Sequence, residues 1–199
     1  MRSIEVRIVQ LAFHFNQARC TGCYTCVVAC KNWHDVPAGP ASWIRVITIE
    51  RGRYPDPLVA HLTSPCYHCA EPICVSICPV NAINKKKQDG IVIVDKEVCL
   101  GRDYCQLCLE TCPYDAPQFG AEANAQMQKC DLCMDRWAEG KKPICISSCP
   151  TRALDAGPMD EMMAKYGESR EAVGFTFDEK LKPSAIFKAK LTDVSIDRI

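Results

Sequence analysis

The sequence predicts an α+β fold of short strands, short helices and long loops, arranged as two interleaved units around cysteine-built centres. Three observations predict it. Of 199 residues, 16 are cysteine, about 8%, which is where a chain begins to use cysteine as scaffold. The cysteines fall into four groups of four, each closing on C-x3-C. Between the groups, apolar residues alternate only over short segments, the pattern of brief half-buried strands. The 48% hydrophobic fraction includes those cysteines, and only 6 Phe, 6 Tyr and 3 Trp supply rings. An ordinary apolar core built from this composition is small.

Charge and hydropathy exclude several functions. Twenty-four Lys and Arg balance 24 Asp and Glu, a formal charge of zero, so no polycation is offered to nucleic acid or to acidic lipid. Arg2, Glu5 and Arg7 interrupt the apolar N-terminus, which lacks the continuous apolar run of a secretory signal. No stretch approaches the roughly 18 consecutive apolar residues of a membrane span. The chain is expected to be soluble by itself, held at any membrane by a partner. Residue order leaves the compartment open between the cytoplasm and wherever a partner with its own export signal would carry the chain. Paired carboxylates, a nucleophile–base arrangement and a Gly-rich phosphate loop are all missing from the sequence, so catalysis by the chain alone is not expected.

Taken in order, residues 4–15 alternate around Leu11, Phe13 and Phe15 and predict a strand leading into the first cysteine group; Ile44 to Glu50 predicts another. Ala82-Ile83-Asn84, a polar turn from Lys85 to Gly90 and Ile91-Val92-Ile93-Val94 read as a hairpin. Short helical turns are expected after Cys30, Cys78, Cys112 and Cys149, because the proline of a C-P step suits a first helical turn. Met159 to Tyr166 predicts a helix, and the tail from Phe175 an extended arm over a partner or over the chain itself.

The groups are Cys20, Cys23, Cys26, Cys30; Cys66, Cys69, Cys74, Cys78; Cys99, Cys105, Cys108, Cys112; and Cys130, Cys133, Cys145, Cys149, the last three followed by Pro79, Pro113 and Pro150. Disulfides require partners held apart in an oxidising compartment. Structural zinc uses two C-x2-C knuckles across a longer loop, a pattern only the fourth group approaches. The run C-x2-C-x2-C-x3-C is the spacing of a cubane iron–sulfur site, in which the fourth cysteine ligates the neighbouring cluster. The iron–sulfur reading is favoured, with zinc and disulfides as the alternatives.

The hairpin between Cys78 and Cys99 makes groups two and three one ferredoxin-like unit, leaving groups one and four to pair around it. The expected ligand sets are therefore Cys20, Cys23, Cys26, Cys149; Cys130, Cys133, Cys145, Cys30; Cys66, Cys69, Cys74, Cys112; and Cys99, Cys105, Cys108, Cys78. The matching domains are an outer unit (1–60 with 121–157), an inserted unit (61–120), and a C-terminal helix and arm (158–199). Oxidised cubanes with four thiolates carry about −2 each, so four would take the chain to about −8. Backbone N–H groups, Lys129, Arg136 and Arg152, or a basic partner must offset this.

Other residues carry less. Lys85-Lys86-Lys87 reads as a solvated turn. His68 is either a donor to a cluster sulfur or a surface histidine. His14, His34 and His61 read as structural or exposed, Trp33 and Trp43 as packing. Gly22 and Gly101 lie inside cysteine motifs, where a small residue lets backbone N–H groups approach sulfur.

The strings CTGCYTCVVACKNWHDVP, PCYHCAEPICVSICPVNAI, DGIVIVD, CPYDAPQF, KCDLCMDR and KKPICISSCPTRAL resemble the iron–sulfur subunit of the dimethyl sulfoxide reductase family. The likeness runs from about residue 5 to 157. The resemblance implies a four-cluster electron-transfer subunit docked on a large molybdenum or tungsten pterin catalytic subunit, relaying electrons to a quinone-linked membrane anchor subunit or a soluble carrier. A free-standing polyferredoxin is the alternative function, and a zinc-stapled interaction module a remote one. The third group departs from the family's C-x-G-C-x-Y-C, since Arg102 follows Cys99-Leu100-Gly101. Either Cys105 supplies the second ligand after an insertion and the cluster is [4Fe–4S], the preferred register, or Arg102 replaces that ligand and the cluster is [3Fe–4S].

Overall fold

The computed structural model describes residues 9–190. Strand β1 (Leu11–Asn16) is the centre of the largest sheet. It pairs antiparallel with β6 (Leu154–Pro158) and parallel with β7 (Ala185–Lys188). Five of its six residues are buried, as expected for a central strand covered on both faces. The segment 4–8 of the expected first strand lies outside the described residues. The C-terminal arm, as far as it is described, lies on the chain itself: β7 takes the register Phe13↔Ala185 to Asn16↔Lys188.

Following β1, helix α1 (Thr25–Trp33) carries Cys26 and Cys30. Strands β2 (Ile44–Arg51) and β3 (Leu58–Pro65) form an antiparallel hairpin in register from Ile44↔Pro65 to Arg51↔Leu58. The smaller hairpin, β4 (Ile83–Lys85) with β5 (Val92–Val94), falls where the apolar alternation places it. Its turn is closed by the Asp89 carboxylate, which accepts from the Ile91 N–H at 3.0 Å.

The helical turns expected after the last cysteine of each group lie before it instead. They are α2 (Ile73–Ser76), α3 (Leu107–Glu110) and α5 (Ile144–Ser147), holding Cys74, Cys108 and Cys145; only α1 runs past its closing cysteine. Helix α4 (Met134–Ala138) starts beyond Cys133, and α6 (Met159–Tyr166) covers the residues its pattern predicts. The C-P steps turn the chain because two residues beyond each proline stands a residue in left-handed conformation: Asn81 (φ 54°), Asp115 (φ 46°) and Arg152 (φ 54°). A helix cannot propagate through that conformation.

The cysteine-bearing helices pack in pairs, α1 on α5 and α2 on α3. Two main cores follow. One gathers Leu11, Phe13, Phe15, Ile44 and Phe187 around Cys26, Cys30, Cys145 and Cys149. The other gathers Ile83, Val92, Phe119 and Met127 around Cys108, with Cys74, Cys78 and Cys99 at its edge. A third, small cluster seats Met162 of α6 on Ala12 and Ile186.

A polar network locks α6 to the central sheet. Asp155, opposite His14 in the β1–β6 register, accepts from the Tyr166 hydroxyl at 2.7 Å and from Lys165 and Lys142 at 3.0 Å. Although burial opposes ionisation, these bonds hold its carboxyl well below the usual range. The His14 ring is buried and stacked on Tyr166 at 3.7 Å. Burial first, then Lys165 and Lys188, depress it to about 4, against a smaller opposing pull from Asp155 and the Ile186 backbone.

A neutral-only histidine in the fold binds its proton more readily when unfolded. The stability it contributes is therefore complete above pH 6.5 and is lost as pH falls from 6.5 toward 4. Thermal unfolding followed by circular dichroism at pH 7 and pH 5 should show a loss of about 1–2 kcal/mol at the lower pH. His14→Phe, which keeps the stack, should shrink that loss; an identical loss in the variant would show that His14 is not its source.

Candidate metal centres

The C-x2-C loops and C-x3-C helices bring sixteen thiols into four quartets. Cys20, Cys23, Cys26 and Cys149 wall a first site with Phe15, Val46, Thr63 and Leu154. Cys30, Cys130, Cys133 and Cys145 make a second, where the charge of Cys133 acts on Cys30 and Cys145, and those of Cys30 and Cys145 act on Cys130. Cys66, Cys69, Cys74 and Cys112 wall a third with Tyr67, Pro72, Val92 and Lys129. Cys78, Cys99, Cys105 and Cys108 wall a fourth with Val80, Ile83, Phe119 and Met127. A separate cavity of about 530 Å³ between Arg45, Tyr114, Phe177 and Lys180 is lined by no cysteine.

Local backbone geometry explains the convergence. In the first loop Gly22 (φ 67°) and Tyr24 (φ 60°) are both left-handed, which curls Cys20, Cys23 and Cys26 about one point. A side chain at Gly22 would also strike the His61 ring, 2.6 Å from the ideal Cβ position. At Gly101 (φ 87°) a side chain would strike the Asn124 carboxamide in the same way. Both glycines are thus required by conformation and by a close side chain, a stricter reason than N–H access to sulfur.

The four quartets neighbour one another in series. Cys26 and Cys30 are four residues apart on α1, which places their Cα atoms one above the other, about 6 Å along the axis, and hands one thiol to each of two sites. Across the first and second sites, Cys26 influences Cys30 and Cys145. Cys66 of the third site influences Cys130 of the second. Cys108 of the fourth influences Cys74 of the third. The order is first, second, third, fourth.

Electrostatics define what these sites can accept. Burial, and next the neighbouring thiols, push Cys26, Cys30, Cys69 and Cys74 up to about 12. Burial likewise lifts Cys108 and Cys133 to about 11 and raises Cys130 and Cys145 further. Four buried thiols cannot ionise together unless a cation stands among them. Backbone donors already point at the sulfurs: Ala82 N–H to Cys78 Sγ and Ala153 N–H to Cys149 Sγ at 3.3 Å, Leu132 N–H to Cys130 Sγ at 3.4 Å. The Ala116 N–H does the same for Cys112. A repeated device stands behind three of these bonds. Cys78, Cys112 and Cys149 each begin Cys-Pro-x-x-Ala, and the left-handed residue before the alanine aims its N–H back at the sulfur. At Cys149, burial is outweighed by this bond and by those from Thr151, so its thiol lies below the usual range. The donor set and the sulfur quartets fit iron–sulfur clusters.

Other candidate residues sit as follows. His34, expected to be structural or exposed, places Nε2 3.2 Å from Cys133 Sγ and 3.8 Å from Asp131, with its ring against Trp43. His68 is buried, not at the surface, and its Nδ1 accepts from the Val92 N–H at 3.0 Å. His61 meets Thr48 Oγ1 at 3.1 Å. Arg102 donates to the Gly120 carbonyl at 2.9 Å, whereas Cys105 lines the fourth site. Of the lysine run, Lys86 pairs with Asp89 at 2.9 Å, and Lys85 donates to the carbonyls of Cys69 and Ala70, so it is tied rather than solvated. Trp33 and Trp43 donate to Asp135 and Gln128. Arg136 lies over the Trp33 ring at 4.6 Å. His34 is within reach of sequence reasoning only through its place one turn beyond Cys30 on α1; nothing local points to Cys133.

Comparison with known proteins bears on the same residues. The 4Fe-4S dicluster domain family matches residues 58–159. The chain is 40% identical over 187 residues to an anaerobic dimethyl sulfoxide reductase chain of Escherichia coli, covering 90% of this chain and 88% of that one. It is 36% identical to a sulfite dehydrogenase subunit of Allochromatium vinosum, over 73% of this chain and 68% of the relative. It is 34% identical to the formate dehydrogenase iron-sulfur subunit of Wolinella succinogenes, over 87% and 97%. Sixteen cysteines in four quartets and these relatives agree: the chain belongs to the iron–sulfur electron-transfer subunits of the dimethyl sulfoxide reductase family, which carry [4Fe–4S] clusters and serve oxidoreductase complexes without being catalytic themselves.

Proposed function

We propose that the four quartets each hold one [4Fe–4S] cluster and that together they form a wire. The ligand sets are Cys20, Cys23, Cys26, Cys149; Cys30, Cys130, Cys133, Cys145; Cys66, Cys69, Cys74, Cys112; and Cys78, Cys99, Cys105, Cys108. A bound cluster supplies storage of one electron at a time at each site, at a potential set by hydrogen bonds to sulfur and by burial. The chain's own residues do the rest. Thiolates fix the spacing, the alanine N–H groups after each Cys-Pro turn donate to sulfur, and the apolar walls exclude water.

The observation that carries this reading is the serial order of the quartets, in which a cysteine of each acts on a cysteine of the next. That order suits conduction from end to end rather than storage. On this basis the chain comprises two interleaved ferredoxin-like units, 1–60 with 121–157 around 61–120, and a C-terminal portion, 158–199. The C-x3-C segments shared by neighbouring sites, and the packing of α1 on α5 and α2 on α3, support that division. The partners are a large pterin-dependent catalytic subunit at one end and a quinone-linked membrane anchor or soluble carrier at the other. Exposed apolar side chains near the two terminal sites, Val28 at 66% and Tyr104 at 80% exposure, favour a docked subunit over a freely diffusing polyferredoxin. Among the described residues no helix is long and apolar enough to cross a membrane.

At the fourth site, Cys105 is the second ligand of its group, and Arg102 instead braces the loop at 120–122. The register therefore leads to a four-iron cluster.

Anaerobically prepared chain should contain about sixteen iron and sixteen sulfide and absorb in the visible; a folded, colourless, iron-free preparation overturns the reading. Co-purification from the native host should bring down a large pterin-binding protein. Arg102→Ala should leave the iron content unchanged, whereas Cys105→Ser should lower it by about one iron per chain with a three-iron signal appearing in the oxidised spectrum. The reverse pattern would assign the ligand role to the other residue.

A further inference from the structure

The junction between the second and third sites is built around a buried lysine. Lys129 is 2% exposed. It precedes Cys130 of the second site and lines the third. Its ammonium donates to the carbonyls of Val92 and Cys130, and no carboxylate among the described residues pairs with it. A buried charge without a counter-charge is strongly disfavoured, so its partner must be something else. Asp131, two residues on, accepts from the Cys133 N–H and faces His34; the anionic groups beside Lys129 itself are the thiolates of the third site, whose wall it lines, and that of Cys130, next to it in the chain. Its charge already acts on Cys74 of the third site and on His68.

The same strand residue holds a second donor at the junction. Val92 receives Lys129 at its carbonyl and gives its N–H to His68 Nδ1 at 3.0 Å. With Nδ1 accepting, the neutral ring carries its proton on Nε2, which is buried and has no partner among the described residues. A buried cation and a buried unpartnered N–H on one residue's two faces are what an anionic neighbour requires.

We propose that Lys129 is the fixed counter-charge shared by the two middle cluster sites, raising their reduction potentials relative to those of the two terminal sites. The proposal rests on the four-cluster reading. Each one-electron reduction adds a negative charge with no bond made or broken, and a nearby fixed cation favours that addition. An electron entering at either end then finds the middle of the row favourable, which keeps the relay filled at its least exposed point.

The test is a potentiometric titration of the cluster-loaded chain followed by electron paramagnetic resonance, with the middle signals assigned through Cys74→Ser and Cys133→Ser. Wild-type chain lacking about sixteen iron would fail the four-cluster reading itself, independently of any result at Lys129. With four clusters loaded, Lys129→Met should make the two middle clusters about tenfold harder to reduce, about 59 mV for one electron. The terminal pair should stay in place, and Lys129→Arg should restore the middle pair. Lys87→Met removes the same charge from an exposed position and should leave all four unchanged. No shift in Lys129→Met, or an equal shift of all four signals, overturns the proposal. Should Lys129→Met lose iron, Lys129→Gln is titrated in its place. If both neutral variants lose the middle clusters and Lys129→Arg keeps them, the counter-charge role stands; if Lys129→Arg loses them too, it falls.

Discussion

Sixteen thiols in a chain of 199 residues impose one constraint on everything else: buried thiols this close cannot all be anions unless cations stand between them. The Cys26, Cys30, Cys69 and Cys74 thiols, pushed up to about 12 by burial and by one another, express that constraint directly. Metal binding to such a quartet releases protons and contributes directly to folding. This explains why so little regular structure suffices. Strands of three or four residues and single-turn helices are marginal alone, but here they need only carry ligands to four points.

The C-x3-C spacing turns four sites into one row. Cys26 and Cys30, one turn apart on α1, let a single helix contribute to the first and second sites and fix their separation. In the other three C-x3-C segments the short helix carries only the first thiol (Cys145, Cys74, Cys108), and the turn beyond it hands Cys149, Cys78 or Cys112 to the neighbouring site. The link between the two halves has no such segment. It is made by Cys66 beside Cys130 and by the Lys129–Val92–His68 cluster, which is why the polar groups buried at that point differ from those elsewhere.

Much of this is legible from residue order, because thiol spacing and β-branched runs are local signals. The hairpin at 83–94, the strand at Ile44 and helix α6 follow from patterns within ten residues. What is not legible depends on contacts distant in sequence. β3 contains His61 and ends on Pro65, features that break a strand pattern until β2 pairs with it. β6, Leu-Asp-Ala-Gly-Pro, is a strand only because β1 lies beside it, and β7 reaches β1 from about 170 residues away. Residue order puts the short helices on the wrong side of the C-P steps, because proline there reads as a helix start. The left-handed residue two positions on makes it an exit, and the positive φ at Asn81, Asp115 and Arg152 belongs to the folded backbone rather than to any residue type. His34 belongs to the same class: its neighbour Cys133 comes from another segment.

The distribution of exposure along the row carries the last step. In the first site Cys23 is exposed, and Cys149 is eased toward ionisation by Thr151 and backbone N–H groups. Beside the fourth, Tyr104, Leu100 and Leu107 stand in solvent. The second and third sites lie between, and Tyr67, Leu132 and Ile146, each next in the chain to one of their cysteines, are buried. Tunnelling needs proximity at the ends and exclusion of water in the middle, and this chain supplies both from opposite tendencies of one composition. Its apolar residues are too few to bury everything, so they are concentrated where the row is deepest. The apolar side chains left over at the termini are the surface a partner subunit would cover. With a formal charge of zero before loading and about −8 after it, the same row also makes the loaded chain a strongly anionic body.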